Sequence, residues 1–402
     1  MRILHVIYDD IKNPWVGGGG ATRTLEIYSR IARRGHRVLV ICGNYPGAPA
    51  LERRGEVRYR HVGYSRSYIL SRIAFMLGAV RYIRRGDFDI VVEDVSPFSP
   101  IGSPIWKQRV PHVASVQNLL GLHATQKFGL IGWGPRLVEK DLLQMYRSFV
   151  AVSPGIARQI EGALGRSINC RVIPNSCNPI FFQERETTAD EGRRTKDEGL
   201  LSLVDTQYAV RNTQSSNYIL SLGRIDVYQK GLDDLVNAFD RMAECLPDVR
   251  LFIAGSGMSS QVEILRGLVE QARHKDRIEL LGQVDQHKAA KLMRGALLVA
   301  IPSRYEGWPL AALEAGAVGV PVVGSNIVGV RDAAPQFPAG HGELVGPGDI
   351  AGLSRALYKL ASNRKLRIDM ASRGSKWARG FSWDLLAEEQ MRFYLGLLGK
   401  KA

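Results

Sequence analysis

The sequence predicts an α/β protein made of two doubly wound halves, each a mostly parallel sheet with helices on both faces. Three observations predict it. At 402 residues the chain is longer than one hydrophobic core usually serves, so two domains are expected. Short apolar runs of strand length alternate with longer stretches of helical spacing. Between two such series, residues 183–216 turn polar and charged, with TTADEGRRTKDEG and NTQSSN rich in turn and linker residues.

The first half opens with the strand RILHVIY, turns through the glycine run Gly17–Gly20, and continues as a helix from about Thr22 to Arg34 before the strand HRVLVIC. Further strands are FDIVVED, PHVASVQ and SFVAVS. The second half restarts with NYILSLG. It then alternates the helix LDDLVNAFDRMAECL, the strand VRLFIAG, another helix, the strand RIELLG and the apolar run LLVAI. The boundaries implied are a first domain over 1–182, a linker or insertion over 183–216 and a second domain over 217–382.

Composition agrees with an ordinary soluble globular protein: 45% hydrophobic and 23% charged residues. No apolar run approaches the roughly eighteen residues of a membrane span, and MRILHVIYDD reads as a strand followed by acids rather than a secretory signal, so a cytoplasmic location is expected. Cys42, Cys170, Cys177 and Cys245 lack zinc-ligand spacing and read as reduced packing residues. The net charge of +15 is uneven, with 25 basic against 12 acidic side chains in residues 1–180 and 29 against 27 in the rest. Basic density peaks from Arg53 to Arg85, where nine arginines interleave with Tyr59, Tyr64, Tyr68, Phe75 and Tyr82. Such a face suits anionic lipid head groups or a phosphate-bearing acceptor. A solvated basic helix whose stripe of Ile69, Ile73, Met76, Leu77 and Val80 packs on the sheet accounts for it equally well. No nucleic-acid motif accompanies the charge, so no nucleic-acid partner is expected.

The chemistry is sought between Pro302 and Val323, where PSRYEGWPLAALEAGAVGVPVV places Glu306 and Glu314 around a strand-to-helix turn. LLVAI is the strand, Pro302 and Ser303 close it, and Pro309 suits a first helical position. Gly307 and Trp308 offer no capping side chain, which leaves the opening amides and the positive dipole end free for an anion. Two cations, Arg224 after NYILSLG and Lys230 before the following helix, are placed to meet such an anion at the carboxyl ends of the strands. The glycine run completes no G-x-G-x-x-G, and HRVLVIC is followed by Gly43 and Asn44 rather than an acid, which argues against a dinucleotide site. No G-K-[ST] is present for a P-loop.

The Pro302–Val323 segment resembles the paired-glutamate signature of retaining glycosyltransferases of family 4. The resemblance extends along nearly the whole chain. GRIDVYQKG (Gly223–Gly231) looks like the family's donor-diphosphate element and VIPNSCNPIFF like its interdomain segment. AVSPGIA looks like the strand end before that segment, and GGGGATRTLEIYSRIARRGHRV like the family's glycine loop and first helix. The resemblance implies the GT-B fold: two Rossmann-like domains facing a cleft, acceptor side first and donor side second, with a final helix over 383–402 crossing back to the first domain.

It also implies retaining transfer of a sugar from a UDP- or GDP-type diphosphosugar to an acceptor hydroxyl in glycan, polysaccharide or glycolipid synthesis. No cofactor or metal is expected. By the same resemblance Glu306, Arg224 and Lys230 are catalytic, while Gly19, Gly20, Gly307, Trp308, Pro309, Leu310 and Glu314 bind the donor. The family often places a histidine after the fourth strand of the first domain, and this chain departs there with Gln117 and Asn118. Glutamine can exchange hydrogen bonds with a sugar hydroxyl but cannot titrate. Gln117 and Asn118 are therefore acceptor-side candidates, and nearby His123 is a substitute candidate or a packed histidine. Asp87 and Asp89 precede their strand and read as turn residues, whereas Glu93 and Asp94 end it and face the cleft in principle. Two other function classes remain open at this stage. One is a GT-B sugar-nucleotide epimerase or phosphorylase; the other is a membrane- or nucleic-acid-binding protein with a vestigial site.

Overall fold

Strand-forming runs rich in Val, Ile and Leu are buried on both faces when helices cover a parallel sheet, and the two halves obey this rule. A computed structural model describes residues 1–15, 18–121, 123–183 and 217–400; Gly17 and the polar stretch 184–216 lie outside them. The first sheet contains β1 (Arg2–Val6), β2 (Arg37–Gly43), β3 (Leu51–Arg54), β4 (Val57–Val62), β5 (Ile90–Asp94), β6 (His112–Val116), β7 (Ser148–Ala151) and β8 (Asn169–Val172). Their order is β3-β4-β2-β1-β5-β6-β7-β8, and only β3 runs antiparallel to its neighbour. The second sheet contains β9 (Tyr218–Leu222), β10 (Arg250–Ala254), β11 (Ile278–Gly282), β12 (Leu298–Ile301), β13 (Val322–Ser325) and β14 (Gly342–Val345), wholly parallel in the order β11-β10-β9-β12-β13-β14.

Strand order reverses at β1/β5 in one sheet and at β9/β12 in the other. Chains leaving such a pair part to opposite faces and open a crevice at the carboxyl ends, where ligands bind in doubly wound sheets. The two crevices face one another across a single cleft.

The β3–β4 hairpin occupies part of the arginine-rich segment. VRYRHV buries Val57, Tyr59 and His61 on one face and turns Arg58 outward, the two-residue period of a half-buried strand. In the helix Tyr68–Arg85, the stripe named in the packing alternative is not the face that meets the sheet. Ser71, Phe75, Ala79 and Ile83 face the sheet, whereas Ile69 and Leu77 are 69% and 72% exposed and Ile73 is also in solvent. The helix has two apolar faces, and the one with small residues at every second contact packs more closely. Met76 and Val80 lie on the flank and are partly buried. Cys245 is exposed, which corrects its reading as a packing residue; Cys42 and Cys177 are buried.

No described helix is long and apolar enough to cross a membrane. Asp87 and Asp89 both bind Arg2, consistent with turn residues. Cys42 does have a histidine near it in space, since Asp10, Cys42 and His61 cluster. Arg54 Nη1 lies 2.9 Å from Asp10 Oδ2 and occupies that carboxylate, so the cluster is a buried ion pair.

The last helix, Trp383–Leu397, crosses back onto the helix Gly19–Arg33, burying Trp383, Leu386, Ala387 and Tyr394 with Ile27, Tyr28 and Ile31. Its polar anchor is Arg23. Nη1 of Arg23 donates to the carbonyls of Ile173 and Pro174 and to Asn175 Oδ1, and Nη2 donates to Gln390 Oε1 at 2.7 Å. Gln390 in turn donates to Tyr394 Oη at 2.8 Å. Changing Gln390 to leucine should leave a buried guanidinium partly unpaired and cost about 2–3 kcal/mol, read as a lower midpoint in urea with an unchanged slope.

Candidate functional site

The cleft holds about 440 Å³, within the range of small-ligand pockets. Its walls come from both sheets: Gly19, Gly20, Gln117 and Asn118 on one side, and Arg224, Lys230, Glu306 and Glu314 on the other. Gly307, Trp308, Pro309 and Leu310 complete the floor.

The helix that carries Glu314 spans Leu310–Ala317, so Pro309 is the residue before the first turn rather than within it. That helix has no side-chain cap and no acid in its first turn. Its first amides therefore point at the cleft without an internal acceptor. The helix over Gly19–Arg33 begins three residues earlier than the sequence reading placed it, which makes Gly19 and Gly20 its first turn. Gly19 faces the opposite wall, since a side chain there would meet Asn175 and Leu310, whereas one at Gly20 would meet Asp94, Ile7 and Gln117 of its own domain.

Lys230 Nζ donates to Glu306 Oε1, and Ser303 Oγ donates to the same oxygen at 3.0 Å. Cation and carboxylate thus neutralise one another in the cleft, and an anion with hydroxyls can divide them between its two parts. Arg224 is exposed and donates to Gln229 Oε1 at 2.7 Å. Lys230 ends a short helix, Val227–Lys230, and Gly231 follows with φ 61°. A Cβ there would come within 2.1 Å of the Pro302 carbonyl, so only glycine lets the Lys230 and Glu306 segments lie this close. Arg304 ties the same segments from behind through Asp233, Asp234 and the Tyr228 carbonyl.

Glu314 is 7% exposed, and burial pushes its carboxyl up to about 7. Glu93 does not face the cleft. It turns into the first domain and accepts from the Gly102 and Ser103 amides and from Tyr146 Oη, which corrects the expectation. Asp94 lies behind Gly20, with burial pushing it up to about 7. His123 is outside the cleft lining. It stacks on Tyr305 across the domains at 5.0 Å, and burial lowers its proton affinity. The Trp308 ring packs edge-on against Phe381 at 5.2 Å.

Polar cleft residues that escaped the sequence reading include Asp9, Asn175, Ser221, Gln229 and Ser303. Asp9 directly follows the predicted strand RILHVIY, the position that faces a crevice, and this was the available signal. Gly307 marks a close approach of the domains, since a Cβ on it would fall 1.6 Å from the Gln117 carbonyl oxygen. A Gly307→Ala variant should hold the domains apart and lower kcat/KM at least tenfold, with small-angle scattering reporting a larger radius of gyration.

Residues 17–179 match the family described as Glycosyltransferase Family 4, and residues 207–377 match Glycosyl transferases group 1. The chain belongs to this glycosyltransferase family. Over 178 residues it is 36% identical to a phosphatidyl-myo-inositol mannosyltransferase of Mycobacterium leprae, which covers 44% of this chain and 46% of that protein. The match therefore spans about half the length of that curated relative. The sucrose-phosphate synthase of Thermosynechococcus elongatus superposes with a TM-score of 0.79 over 99% of both chains at 19% identity. The Anabaena protein HepE, solved in complex with UDP-glucose, gives 0.73 over 98% of both chains at 18% identity. These two share the GT-B fold with the family 4 chain described here.

Proposed function

We propose that this chain transfers a sugar from a nucleotide diphosphosugar to an acceptor hydroxyl in glycan or glycolipid synthesis, with retention of anomeric configuration. The observation that carries the reading is the convergence of Arg224, Lys230, Glu306 and Glu314 on one uncapped helix start inside the interdomain cleft. The helix amides and the two cations suit a diphosphate, whose leaving oxygen gains charge in the transition state. Glu314 suits the ribose hydroxyls. Glu306, released from Lys230 when the phosphate takes that cation, suits the hydroxyls of the donor sugar. Gly19 and Gly20 bring bare backbone to the phosphates from the acceptor side. Retention follows from attack on the face that the diphosphate leaves, and the reaction proposed needs no metal. The HepE complex with UDP-glucose supports a UDP-type donor, and the mannosyltransferase relative supports an inositol or lipid acceptor.

The test is turnover of UDP- and GDP-sugars with lipid extract as acceptor in the presence of a chelator, with the product's anomeric configuration read by NMR. Retained configuration supports the reading. Inversion, or release of sugar 1-phosphate or an epimerised nucleotide sugar without acceptor, contradicts it.

Peripheral contact with an anionic membrane is part of the proposal. The exposed Ile69, Leu70, Ile73 and Leu77 on the helix Tyr68–Arg85 lie among arginines, the composition of an interfacial helix. Changing Ile69, Ile73 and Leu77 to serine should reduce pelleting with phosphatidylglycerol vesicles at least fivefold without lowering the melting temperature, because these side chains are already in water.

A further inference from the structure

Asn175 is a buried amide with one end held and the other turned to the cleft. It is 3% exposed and follows β8 in the segment between the domains. Its Oδ1 accepts from Arg23 Nη1 at 3.0 Å. A guanidinium can only donate, so the oxygen must face Arg23 and Nδ2 must point elsewhere. Asn175 lines the cleft, yet among the described residues nothing accepts from its Nδ2. A donor left over on so buried a side chain is the usual mark of a missing partner. The point that a Cβ on Gly19 would occupy lies 3.7 Å from Nδ2 and 3.8 Å from Leu310 Cδ1. Gly19 and Leu310 begin the helices Gly19–Arg33 and Leu310–Ala317, one from each domain, and neither helix has a side-chain cap or an acid in its first turn. Nδ2 therefore stands where two uncapped helix starts meet. Donors that converge with no acceptor among them suit an anion.

The aim of this amide is set from the last helix. Arg23 Nη2 donates to Gln390 Oε1 at 2.7 Å, and the same rule turns Gln390 Nε2 to Tyr394 Oη at 2.8 Å. Tyr394 Oη lies 3.1 Å from Tyr28 Oη, which lies 3.0 Å from His5 Nδ1. Burial pushes the His5 imidazole down to about 3, so the ring is neutral and can accept from Tyr28. His5 Nε2 lies 3.2 Å from Thr24 Oγ1, and Thr24 Oγ1 donates to the carbonyl of Gly20, another residue of the cleft wall. Arg23, Gln390, Tyr394, Tyr28, His5 and Thr24 are all buried. The relay starts beside Asn175 and ends at Gly20, and the donor and acceptor roles along it leave Gln390 one orientation.

We infer that Asn175 is a further ligand-contacting residue of the cleft, its Nδ2 donating to a phosphate oxygen of the bound diphosphate, and that Gln390 of the last helix is a positioning residue that aims it through Arg23. The identity of the phosphate rests on the nucleotide diphosphosugar reading; the anion contact itself does not. Arg224 and Lys230 meet the anion as cations from the second domain, whereas Asn175 adds a neutral donor from the segment between the domains. Gln390 does not line the cleft, so affinity for the diphosphate depends on a side chain that never touches it.

The experiment titrates UDP, GDP, their nucleosides and inorganic pyrophosphate into the full chain and into N175D, Q390L and the double variant, well below the melting temperature of each. Aspartate at 175 still accepts from Arg23, so N175D should melt no lower than the wild type. It replaces the cleft-facing donor with an anionic acceptor, and the diphosphate that binds should be weakened by roughly tenfold or more, the loss of a charge-assisted hydrogen bond. The matching nucleoside should bind N175D and the wild type equally. Q390L should weaken the diphosphate by roughly threefold, and the double variant should match N175D, because the two residues act through one contact. Diphosphate affinity in N175D equal to that of the wild type, or an equal loss of diphosphate and nucleoside, would overturn the Asn175 contact and leave the donor reading standing. Losses that add in the double variant would overturn the positioning role of Gln390. If neither nucleotide binds the wild type, pyrophosphate decides: binding that N175D loses keeps the anion contact while the donor reading fails, and no binding overturns both.

Discussion

Replacing Glu306 with alanine should lower turnover by roughly 10²–10³-fold, the loss typical of one preorganised group that stabilises a transition state. Binding of the nucleoside diphosphate alone should be unchanged or tighter. The reason lies in the cleft, where Glu306 engages Lys230. In the reading proposed above, a diphosphate breaks that pair to gain Lys230, so removing the carboxylate would free the cation for the phosphate while taking away the group assigned to the sugar. A fall in kcat with no rise in the dissociation constant for the nucleotide is the expected split. The glutamine variant separates charge from shape: it keeps a hydrogen-bonding group of the same size, and a turnover as low as that of alanine would assign the effect to the negative charge. Unchanged turnover in the alanine variant, with the fold intact, would remove Glu306 from the chemistry.

The second large effect is a pH dependence centred on Glu314. Burial raises this carboxyl from 4.5 to about 7 in the fold. The folded protein then holds a proton that the unfolded chain releases over that interval, so stability contributed by the neutral carboxyl is present at low pH and falls as pH rises through about 7. Glu314→Gln, which stays neutral, should flatten the stability profile over this window and raise the melting temperature at pH 8. Donor binding runs the other way. The ionised carboxylate offers both oxygens as strong acceptors to the two ribose hydroxyls, whereas protonation turns one of them into a donor and weakens the acceptance. Nucleotide affinity of the wild type should therefore rise with pH and level off above about 7, and the glutamine variant should bind more weakly with no such rise. Calorimetric titrations across the interval check both slopes. A parallel rise in the variant would assign the pH dependence to another group.

The alternation of strand and helix in the second half was legible because each buried strand is a continuous apolar run, as NYILSLG and LLVAI are. The β3–β4 hairpin was not, because VRYRHV alternates with arginine and reads as charge before it reads as strand. The second-domain wall of the cleft was legible for a local reason. Arg224 and Lys230 follow the carboxyl end of β9, and Glu306 and Glu314 that of β12, in the loop and first helix turns after adjacent strands at one switch point. The acceptor half depends on contacts distant in sequence. Glu93 and Asp94 both end β5, yet one turns into the core toward Tyr146 and the other stands behind Gly20, a choice set by packing that strand position alone does not fix. The exposed face of the helix Tyr68–Arg85 was left open for the same reason: it has two apolar stripes, and only the sheet decides between them.

The central claim is that the cleft is a nucleotide diphosphosugar site read by Arg224 and Lys230. The measurement that tests it most directly is calorimetric titration of UDP, GDP and ADP, each with a chelator present, into the wild type and the double variant Arg224→Met, Lys230→Met. The account predicts that one diphosphate binds the wild type without metal, that the corresponding monophosphate binds less tightly, and that the double variant loses this preference for the diphosphate. Wild-type protein that binds none of the three, or a double variant that binds the diphosphate as tightly as the wild type, would contradict it.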